Sequence, residues 1–208
     1  DEALKATPTS LENGLLRIRL DKQGRVTGVY DKLERREVLP KGAKANALQL
    51  FDDRPFAHDA WDIDFNVEEV ELPAPETESV EVVEEGPLRA VVRVVSRTER
   101  STITQDITLC AGSARVDFVT HADWHEKKAL LRAAFPVAVR SRKATFEIQF
   151  ATIERATHRS TEFDAGRHEV AAQRWADLSE GNYGVALLND CKYGYDVKDN
   201  VLRLSLLR

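Results

Sequence analysis

The sequence pattern that best matches a metal site is His121-Ala122-Asp123-Trp124-His125. Alternate side chains on a β-strand point to the same face, so His121, Asp123 and His125 are expected to share one face. Two imidazoles and a carboxylate can hold zinc in a three-ligand catalytic site. The alternative is a strand end that passes into solvent while Trp124 packs inward. Because the sequence offers no further ligand, we predict no metal site in this chain.

A second candidate for chemistry is the segment at residues 58–64 (HDAWDID), where aspartates flank a tryptophan. An indole ring can stack on a sugar face, and carboxylates accept hydrogen bonds from hydroxyls. A pair of carboxylates can also act on a glycosidic bond. We therefore name Trp61 and Asp62 as candidate substrate-binding residues. The alternative is a loop whose aspartates cap turns and whose tryptophan covers the edge of a sheet.

A third candidate lies at residues 186–196 (ALLNDCKYGYD), where an apolar run typical of a strand stops abruptly. Asn189 and Asp190 are good turn residues. Lys192 and Tyr193 are not required by any turn, and their side chains carry groups that can hydrogen-bond a ligand. All four residues are candidate substrate-binding residues. An ordinary surface turn is the alternative.

The composition excludes several classes of protein. A net charge of -5, with basic residues dispersed among acidic ones, argues against a nucleic-acid surface. No apolar run approaches the roughly 18 residues that span a bilayer, and the polar start does not resemble a signal peptide. Cys110 and Cys191 are too few for a disulfide framework, which fits a reducing compartment. We expect no nucleic acid, no membrane and a cytoplasmic location.

The elements that must position these candidates are β-strands. Alternating apolar and polar residues predict at least ten short strands and no convincing helix. Turn residues between alternating segments indicate hairpins at residues 15–30, 80–95 and 101–120. Further strands are predicted at residues 129–139, 145–150, 168–175, 183–188 and 201–206. This pattern predicts an all-β fold, arranged as a large antiparallel β-sandwich.

Three segments interrupt this strand pattern and are predicted to be loops or spacers: residues 51–66, 72–78 and 152–167. Residues 1–10 are predicted to be a linker, and residues 11–208 one β-sandwich domain. The chain contains no Met and ends within an apolar run. We therefore expect it to be a piece of a longer polypeptide.

Several blocks of the sequence, in order from Leu11 to Arg208, resemble the C-terminal β region of the α-mannosidases of glycoside hydrolase family 38. They include HDAWDID at residues 58–64, DWHEKKALLRAAFPV at residues 123–137 and NDCKYGYD at residues 189–196. The resemblance is to the branch of bacterial and cytosolic enzymes. Collinear blocks over nearly the whole chain are more specific than any single motif.

The resemblance implies a β-sandwich similar to the galactose mutarotase fold, packed against a catalytic domain and a helical bundle of the same polypeptide. It implies hydrolysis of terminal α-linked mannose with retention, through a covalent glycosyl-enzyme. It also implies a zinc ion, held by His and Asp ligands of the N-terminal domain. The zinc motifs and the nucleophile belong to upstream segments that this sequence lacks. We therefore expect no catalytic residue and no cofactor within this chain.

The predicted function is that of a non-catalytic C-terminal domain of a zinc-dependent α-mannosidase. Its expected partners are the catalytic and helical domains and a mannoside substrate. The resemblance implies loops that close over the sugar site, first NDCKYGYD and second Trp61 with Asp62. A stand-alone carbohydrate-binding sandwich and a purely structural scaffold remain as alternatives, and a homo-oligomeric parent is left open.

Overall fold

The computed structural model describes residues 4–59, 61 and 63–208. These residues consist mainly of β-strands, which confirms the all-β prediction. The strands are β1 (Lys5–Thr7), β2 (Ser10–Glu12), β3 (Leu16–Leu20), β4 (Val26–Asp31), β5 (Arg36–Glu37), β6 (Ala47–Asp52), β7 (Glu71–Leu72), β8 (Glu76–Glu85), β9 (Arg89–Arg97), β10 (Thr102–Cys110), β11 (Val116–Asp123), β12 (Ala129–Pro136), β13 (Lys143–Ile148), β14 (Ala151–Ala156), β15 (Val170–Ala171), β16 (Trp175–Glu180), β17 (Tyr183–Leu188), β18 (Gly194–Lys198) and β19 (Val201–Leu207). The helices in this part of the chain are a 3₁₀ helix (Val67–Glu69) and α1 (Glu162–Ala165). Neither they nor any other described segment forms a helix long and apolar enough to cross a membrane.

The chain divides into two compact units. Unit 1 contains the chain up to Ala47 together with Ala74–Glu126, and unit 2 contains Leu48–Pro73 and Lys127–Arg208. The strands form four sheets, two in each unit. The prediction of one large two-sheet sandwich is therefore wrong. Local alternation identifies a strand and its buried face, but it does not tell which distant strands pair or how many sheets result. The prediction of one domain over residues 11–208 stays a prediction.

Unit 1 has sheets of strand order β1-β2-β3-β4-β5 and β11-β10-β9-β8. Asn13, which is buried, joins them. Its side-chain oxygen accepts hydrogen bonds from the backbone N–H groups of Leu15 and Leu16, at 2.8 and 2.7 Å. Its amide nitrogen donates to the carbonyl groups of Cys110 and Ser113, at 2.7 and 2.8 Å. One polar side chain therefore closes the β2–β3 turn and fixes the end of β10 against it.

The three predicted hairpins are confirmed as β3–β4, β8–β9 and β10–β11. The first of them depends on Gly24, whose φ is +72° and whose position leaves no room for a side chain. A Cβ atom there would lie 2.4 Å from a methyl group of Val94 on the facing sheet. The glycine is therefore required both by the backbone and by the packing.

Within the predicted linker at residues 1–10, the described residues contain strand β1 (Lys5–Thr7). Strand β1 pairs antiparallel with β2, with Thr7 opposite Ser10. The hydroxyl oxygens of these two residues lie 2.8 Å apart. A strand of three residues with polar side chains has too little apolar alternation to be recognised in the sequence, and backbone pairing with β2 stabilises it.

Unit 2 has sheets of strand order β15-β18-β19-β12-β6-β7 and β14-β13-β16-β17. Side chains of both sheets form its main apolar core, which includes Phe146, Leu178, Tyr195 and Leu202. The rings of Phe146 and Tyr195 meet edge to face, with centroids 6.4 Å apart. A smaller cluster beside β12 contains Phe51, Val67 and Leu130.

Several elements of unit 2 differ from the prediction. Residues 152–167 were expected to be a loop, but they contain most of the edge strand β14 and also α1. Residues 168–175 were expected to be a strand, but they form only the short strand β15 before β16 begins. Strands β16 and β18 were not predicted. Strand β14 is largely exposed, so its residues lack the apolar alternation on which the prediction relied.

Candidate functional site

A group of buried and partly buried charged side chains lies in unit 2, and we call it the ion cluster. It consists of Arg132, Arg159, Arg203, Glu68, Glu169 and Asp196. Arg132 lies within β12 and is 1% exposed. Its guanidinium donates to Glu68 and to Glu169, each at 3.3 Å. Sequence analysis missed this cluster, although an arginine inside the apolar run ALLRAAFP was a signal for a buried ion pair.

Glu68 binds more cations than any other carboxylate of the ion cluster. Besides Arg132, it accepts hydrogen bonds from Arg159 at 3.3 Å and from Arg203 at 3.4 Å, and Lys198 lies 3.8 Å away. Burial raises the pKa of Glu68, but the hydrogen bond from Arg159 and the charges of the arginines outweigh that effect, so the pKa lies below its ordinary value. The carboxyl is therefore ionised at neutral pH and is not a proton donor.

The other two carboxylates of the ion cluster, those of Asp196 and Glu169, each accept hydrogen bonds from two side chains. Asp196 accepts a hydrogen bond from Arg159 at 3.2 Å and a second from Arg203. Glu169 accepts from the hydroxyl of Ser205 as well as from Arg132. A Cβ atom at Gly194 would lie 2.6 Å from a carboxylate oxygen of Glu169. The glycine of the KYGYD motif therefore leaves room for this carboxylate.

The predicted site turn at residues 189–193 joins β17 to β18 and is organised by Asn189. The side-chain oxygen of Asn189 accepts hydrogen bonds from the backbone N–H groups of Cys191, at 2.9 Å, and of Lys192. Its amide nitrogen donates to the hydroxyl of Tyr195, which is fully buried. Burial raises the pKa of this tyrosine. Asn189 thus stabilises the turn from inside, as an Asx turn.

The other three candidates of the turn extend from it. Asp190 and Tyr193 are exposed, and Lys192 is half-buried. None of these three side chains forms an ion pair with another residue of the described chain. The Asp190 carboxylate accepts a hydrogen bond from the neighbouring thiol of Cys191 and raises the pKa of that thiol. An acceptor, a cation and an aromatic hydroxyl are therefore grouped on a short turn of defined conformation.

The predicted aromatic site lies on the loop between β6 and the 3₁₀ helix. Trp61 is 85% exposed, and its ring stacks on that of His58 with centroids 5.7 Å apart. The backbone N–H of Trp61 donates to the carbonyl of His58 at 2.8 Å. Lys128 donates a hydrogen bond to the carboxylate of Asp59. Asp62, the other candidate of this segment, lies outside the described residues. The tryptophan does not cover a sheet edge but presents its ring to solvent.

Both candidate segments are followed directly by residues of the ion cluster. The aromatic loop leads into the 3₁₀ helix that carries Glu68, and the turn leads into β18, which carries Asp196. A hydrogen bond between a ring nitrogen of His168 and the carbonyl of Ile63, at 2.5 Å, also holds the loop. Among the described residues, no hydrogen bond joins the aromatic loop to the turn itself. The two segments therefore share an anchor rather than a direct contact.

The histidine motif at the end of β11 belongs to unit 1. A ring nitrogen of His125 lies 2.9 Å from the carboxylate of Asp123, and both side chains are exposed, as is His121. Within the described part of the chain, no three His, Cys, Asp or Glu side chains lie close enough together to hold a metal ion. The donor groups of the described residues therefore do not fit a zinc ion. The prediction of no metal site stays a prediction.

Together, fold and geometry define an all-β protein whose exposed polar and aromatic segments are anchored by a partly buried ion cluster. Residues 11–208 match the model of the family described as "Glycosyl hydrolases family 38 C-terminal domain". The chain belongs to this family, which confirms the resemblance recognised in its sequence.

The relatives found by sequence are named as α-mannosidases. Alpha-mannosidase 2C1 of Homo sapiens is 42% identical over 201 residues, which are 96% of this chain and 19% of the human protein. Alpha-mannosidase G of Dictyostelium discoideum is 40% identical over 205 residues, which are 95% of this chain and 19% of that protein. The chain therefore spans about a fifth of the length of these curated relatives.

A similar fold occurs in a crystal structure of an α-mannosidase from Enterococcus faecalis V583. The TM-score is 0.82 at 17% sequence identity, over 100% of this chain and 27% of that one. At this level of identity the likeness is one of fold alone.

Proposed function

We propose that this chain is the C-terminal β domain of a longer α-mannosidase, a retaining hydrolase that cleaves terminal α-linked mannose. The observation that carries this proposal is the family match over residues 11–208, together with relatives that are named as α-mannosidases. The chain spans 19% of the length of the human relative, so the rest of such a polypeptide can contain a catalytic domain and a helical domain. We propose these two domains as its partners. The polypeptide acts in the cytoplasm.

In this proposal the domain is not catalytic by itself. Retaining hydrolysis needs one carboxylate as nucleophile and a second carboxyl group that donates a proton, about 5–5.5 Å apart. The carboxylates of the ion cluster bind arginines, and those arginines keep the pKa of Glu68 below its ordinary value. A carboxylate in that environment is a poor proton donor and a poor nucleophile. This supports a catalytic pair in another domain.

The zinc ion of the proposed enzyme also belongs to another domain. Bound zinc supplies Lewis-acid chemistry and orients substrate hydroxyl groups. The described residues of this chain do not group three suitable ligands, so we assign none of them to the metal. Removal of zinc is therefore expected to affect the enzyme without changing the fold of this domain.

We propose that the turn at residues 189–193 contributes to the mannoside site. A carboxylate at Asp190 can accept hydrogen bonds from sugar hydroxyls, and an ammonium at Lys192 can donate to them. Tyr193 offers both a ring face and a hydroxyl. The support for this role is that these side chains are not used by ion pairs within the described chain, while Asn189 maintains the turn beneath them.

Carbohydrate binding outside the catalytic site is a second candidate function, and one observation favours it. Trp61 is 85% exposed, and the His58 ring stacks against its indole with ring centroids 5.7 Å apart. Exposed indole rings suit the apolar faces of sugars. In this case the domain binds mannose without the rest of the polypeptide, and mutation of Trp61 abolishes binding.

The decisive experiment measures hydrolysis of a chromogenic α-mannoside by the full-length polypeptide and by the 208-residue chain, each with added zinc and with a chelator. Activity in the full-length polypeptide alone, lost with the chelator, is the expected result. Hydrolysis by the 208-residue chain would contradict a non-catalytic domain. A full-length polypeptide without activity on any α-mannoside would contradict the mannosidase assignment and favour sugar binding.

A further inference from the structure

A small pocket in unit 2 is lined by four basic, two acidic and four apolar residues. Its titratable lining residues are Arg155, His158, Arg159, Arg167, Asp164 and Asp196. The cavity volume is about 20 Å³, which is room for roughly one water-sized group. Neither the turn at residues 189–193 nor the aromatic loop lines this pocket, so it is separate from the sugar site proposed above.

The carboxylates that line the pocket already have hydrogen-bonding partners. Asp196 accepts from Arg159 at 3.2 Å and also from Arg203, within the ion cluster. Asp164 accepts from the hydroxyl of Thr161 at 2.8 Å. A ring nitrogen of His158 also lies 3.7 Å from the carboxylate of Asp164. Among the described residues, neither acid forms an ion pair with Arg155 or Arg167.

Two arginines of the pocket have no carboxylate partner in the described chain. The Nη1 atom of Arg155 is buried and lacks any hydrogen-bond acceptor among those residues. Its guanidinium lies over the ring of Phe146, at 4.7 Å, and that of Arg167 lies over Phe163, at 4.0 Å. Burial, and then the charge of Arg167, lower the pKa of Arg155. Two like charges and an unmet donor therefore face the same small space.

The surface beside the pocket is also basic. His158, which lines the pocket, also lines an open cleft of about 790 Å³ together with Arg140 and Arg142. Asp199 is the acidic residue of that cleft. In a chain of net charge -5, this concentration of basic groups attracts anions to one place.

We propose that the pocket binds the carboxylate group of a small organic acid between Arg155 and Arg167. A guanidinium N–H donates a strong, charge-assisted hydrogen bond to a carboxylate oxygen, and one oxygen between two arginines can accept from both. A carboxylate oxygen has the size that the cavity accepts, while the rest of the ligand stays at its mouth. The bound group supplies the acceptor that Arg155 lacks and offsets the repulsion between the two arginines. This inference does not depend on the proposed mannosidase function.

Calorimetric titration of the full chain with sodium acetate, at constant ionic strength set by sodium chloride, tests the proposal. We expect saturable binding that weakens at least about tenfold in Arg155→Gln and in Arg167→Gln, the loss of roughly one charged hydrogen bond. Arg167 is exposed, so its variant folds even if Arg155→Gln disturbs the packing on Phe146. Arg142→Gln, which changes the cleft alone, is the matched control and keeps the affinity.

Three outcomes would overturn the proposal. The first is absence of saturable acetate binding by the unmodified chain. The second is an equal loss of affinity for acetate in Arg142→Gln and Arg167→Gln. In that case the binding of acetate depends on the general surface charge and not on the pocket. The third is binding of inorganic phosphate but not of acetate, which rejects a carboxylate as the ligand.

Discussion

Glu68 and Asp196 bind the same guanidinium group, that of Arg159, at 3.3 and 3.2 Å. The first residue follows the aromatic loop, and the second follows the turn at residues 189–193. One cation therefore ties together the two segments on which the candidate sugar-binding residues lie. The ion cluster is thus the element of unit 2 that relates them, since no hydrogen bond among the described residues joins the segments directly.

Removing the central cation of the cluster is expected to destabilise the protein strongly. Arg132→Met leaves Glu68 and Glu169 partly buried without one of their partners, which typically costs about 3–5 kcal/mol. Urea unfolding measures the change. Arg97→Met is the control, because its ion pair with Glu78 is exposed and is expected to contribute less than about 1 kcal/mol. Equal losses in both variants would refute a special role for the buried arginine.

A methyl group at Gly194 is expected to disturb the cluster without removing any charge. In Gly194→Ala the new Cβ meets a carboxylate oxygen of Glu169 at 2.6 Å, so one of them must move. We expect a loss of about 1–3 kcal/mol in the free energy of unfolding, as for other overpacked sites. Gly14→Ala is the matched control, since a Cβ there has no neighbour within 4 Å. Equal unfolding free energies of Gly194→Ala and Gly14→Ala would show that the carboxylate of Glu169 does not restrict the space at Gly194.

Two neighbouring residues of the turn, Asn189 and Asp190, are expected to contribute differently to the stability of the protein. Asn189→Ala removes the side chain that accepts from the N–H groups of Cys191 and Lys192, and we expect it to cost about 1–2 kcal/mol. Asp190→Ala changes an exposed side chain and is expected to stay within about 0.5 kcal/mol. Thermal unfolding of both variants measures the difference. A larger loss for Asp190→Ala would contradict the assignment of Asn189 as the organiser of the turn.

Activity is expected to respond to the exposed residues of the same turn. In the full-length polypeptide, if it is the proposed α-mannosidase, Asp190→Ala and Lys192→Ala should each lower kcat/KM on an α-mannoside at least about tenfold. This is the loss expected for one hydrogen bond to a charged group. The melting temperature should not change. Glu99→Ala, which alters an exposed carboxylate of unit 1, serves as the control. Unchanged kcat/KM in both turn variants would remove the turn from the site.

Acid is expected to weaken one hairpin of unit 1. Hydrogen bonds from Arg17 and Lys32 lower the pKa of Glu12 from 4.5 to about 2. Because the folded state holds the carboxylate ionised, this group stabilises the fold above pH 4.5, and the contribution is lost as the pH falls towards 2. The difference in unfolding free energy between the unmodified chain and Glu12→Gln should therefore shrink over that range. If the difference in unfolding free energy stays constant from pH 7 to pH 2.5, the ionised carboxylate of Glu12 is not its source.

The sequence predicted the elements that depend on near neighbours. The hairpin β3–β4 was recognisable because apolar residues alternate on both sides of a turn that ends in Gly24. The turn at residues 189–193 was recognisable because Asn189 and Asp190 favour turns through their own side chains. Strands β14 and β18 were not predicted. Strand β14 is largely exposed, and Gly194 and Asp196 interrupt β18, so neither strand shows an alternation of apolar and polar residues.

By itself, then, the sequence determined an all-β chain, its hairpins and its family, because these follow from local alternation, turn chemistry and collinear motifs. Only the tertiary structure decided that the strands form four sheets, and that Glu68, Arg132 and Asp196 meet in one cluster. The physical reason is that sheet order and buried ion pairs join residues far apart in the chain. A local pattern identifies a charged residue in an apolar strand, but it does not identify the partner that makes its burial stable.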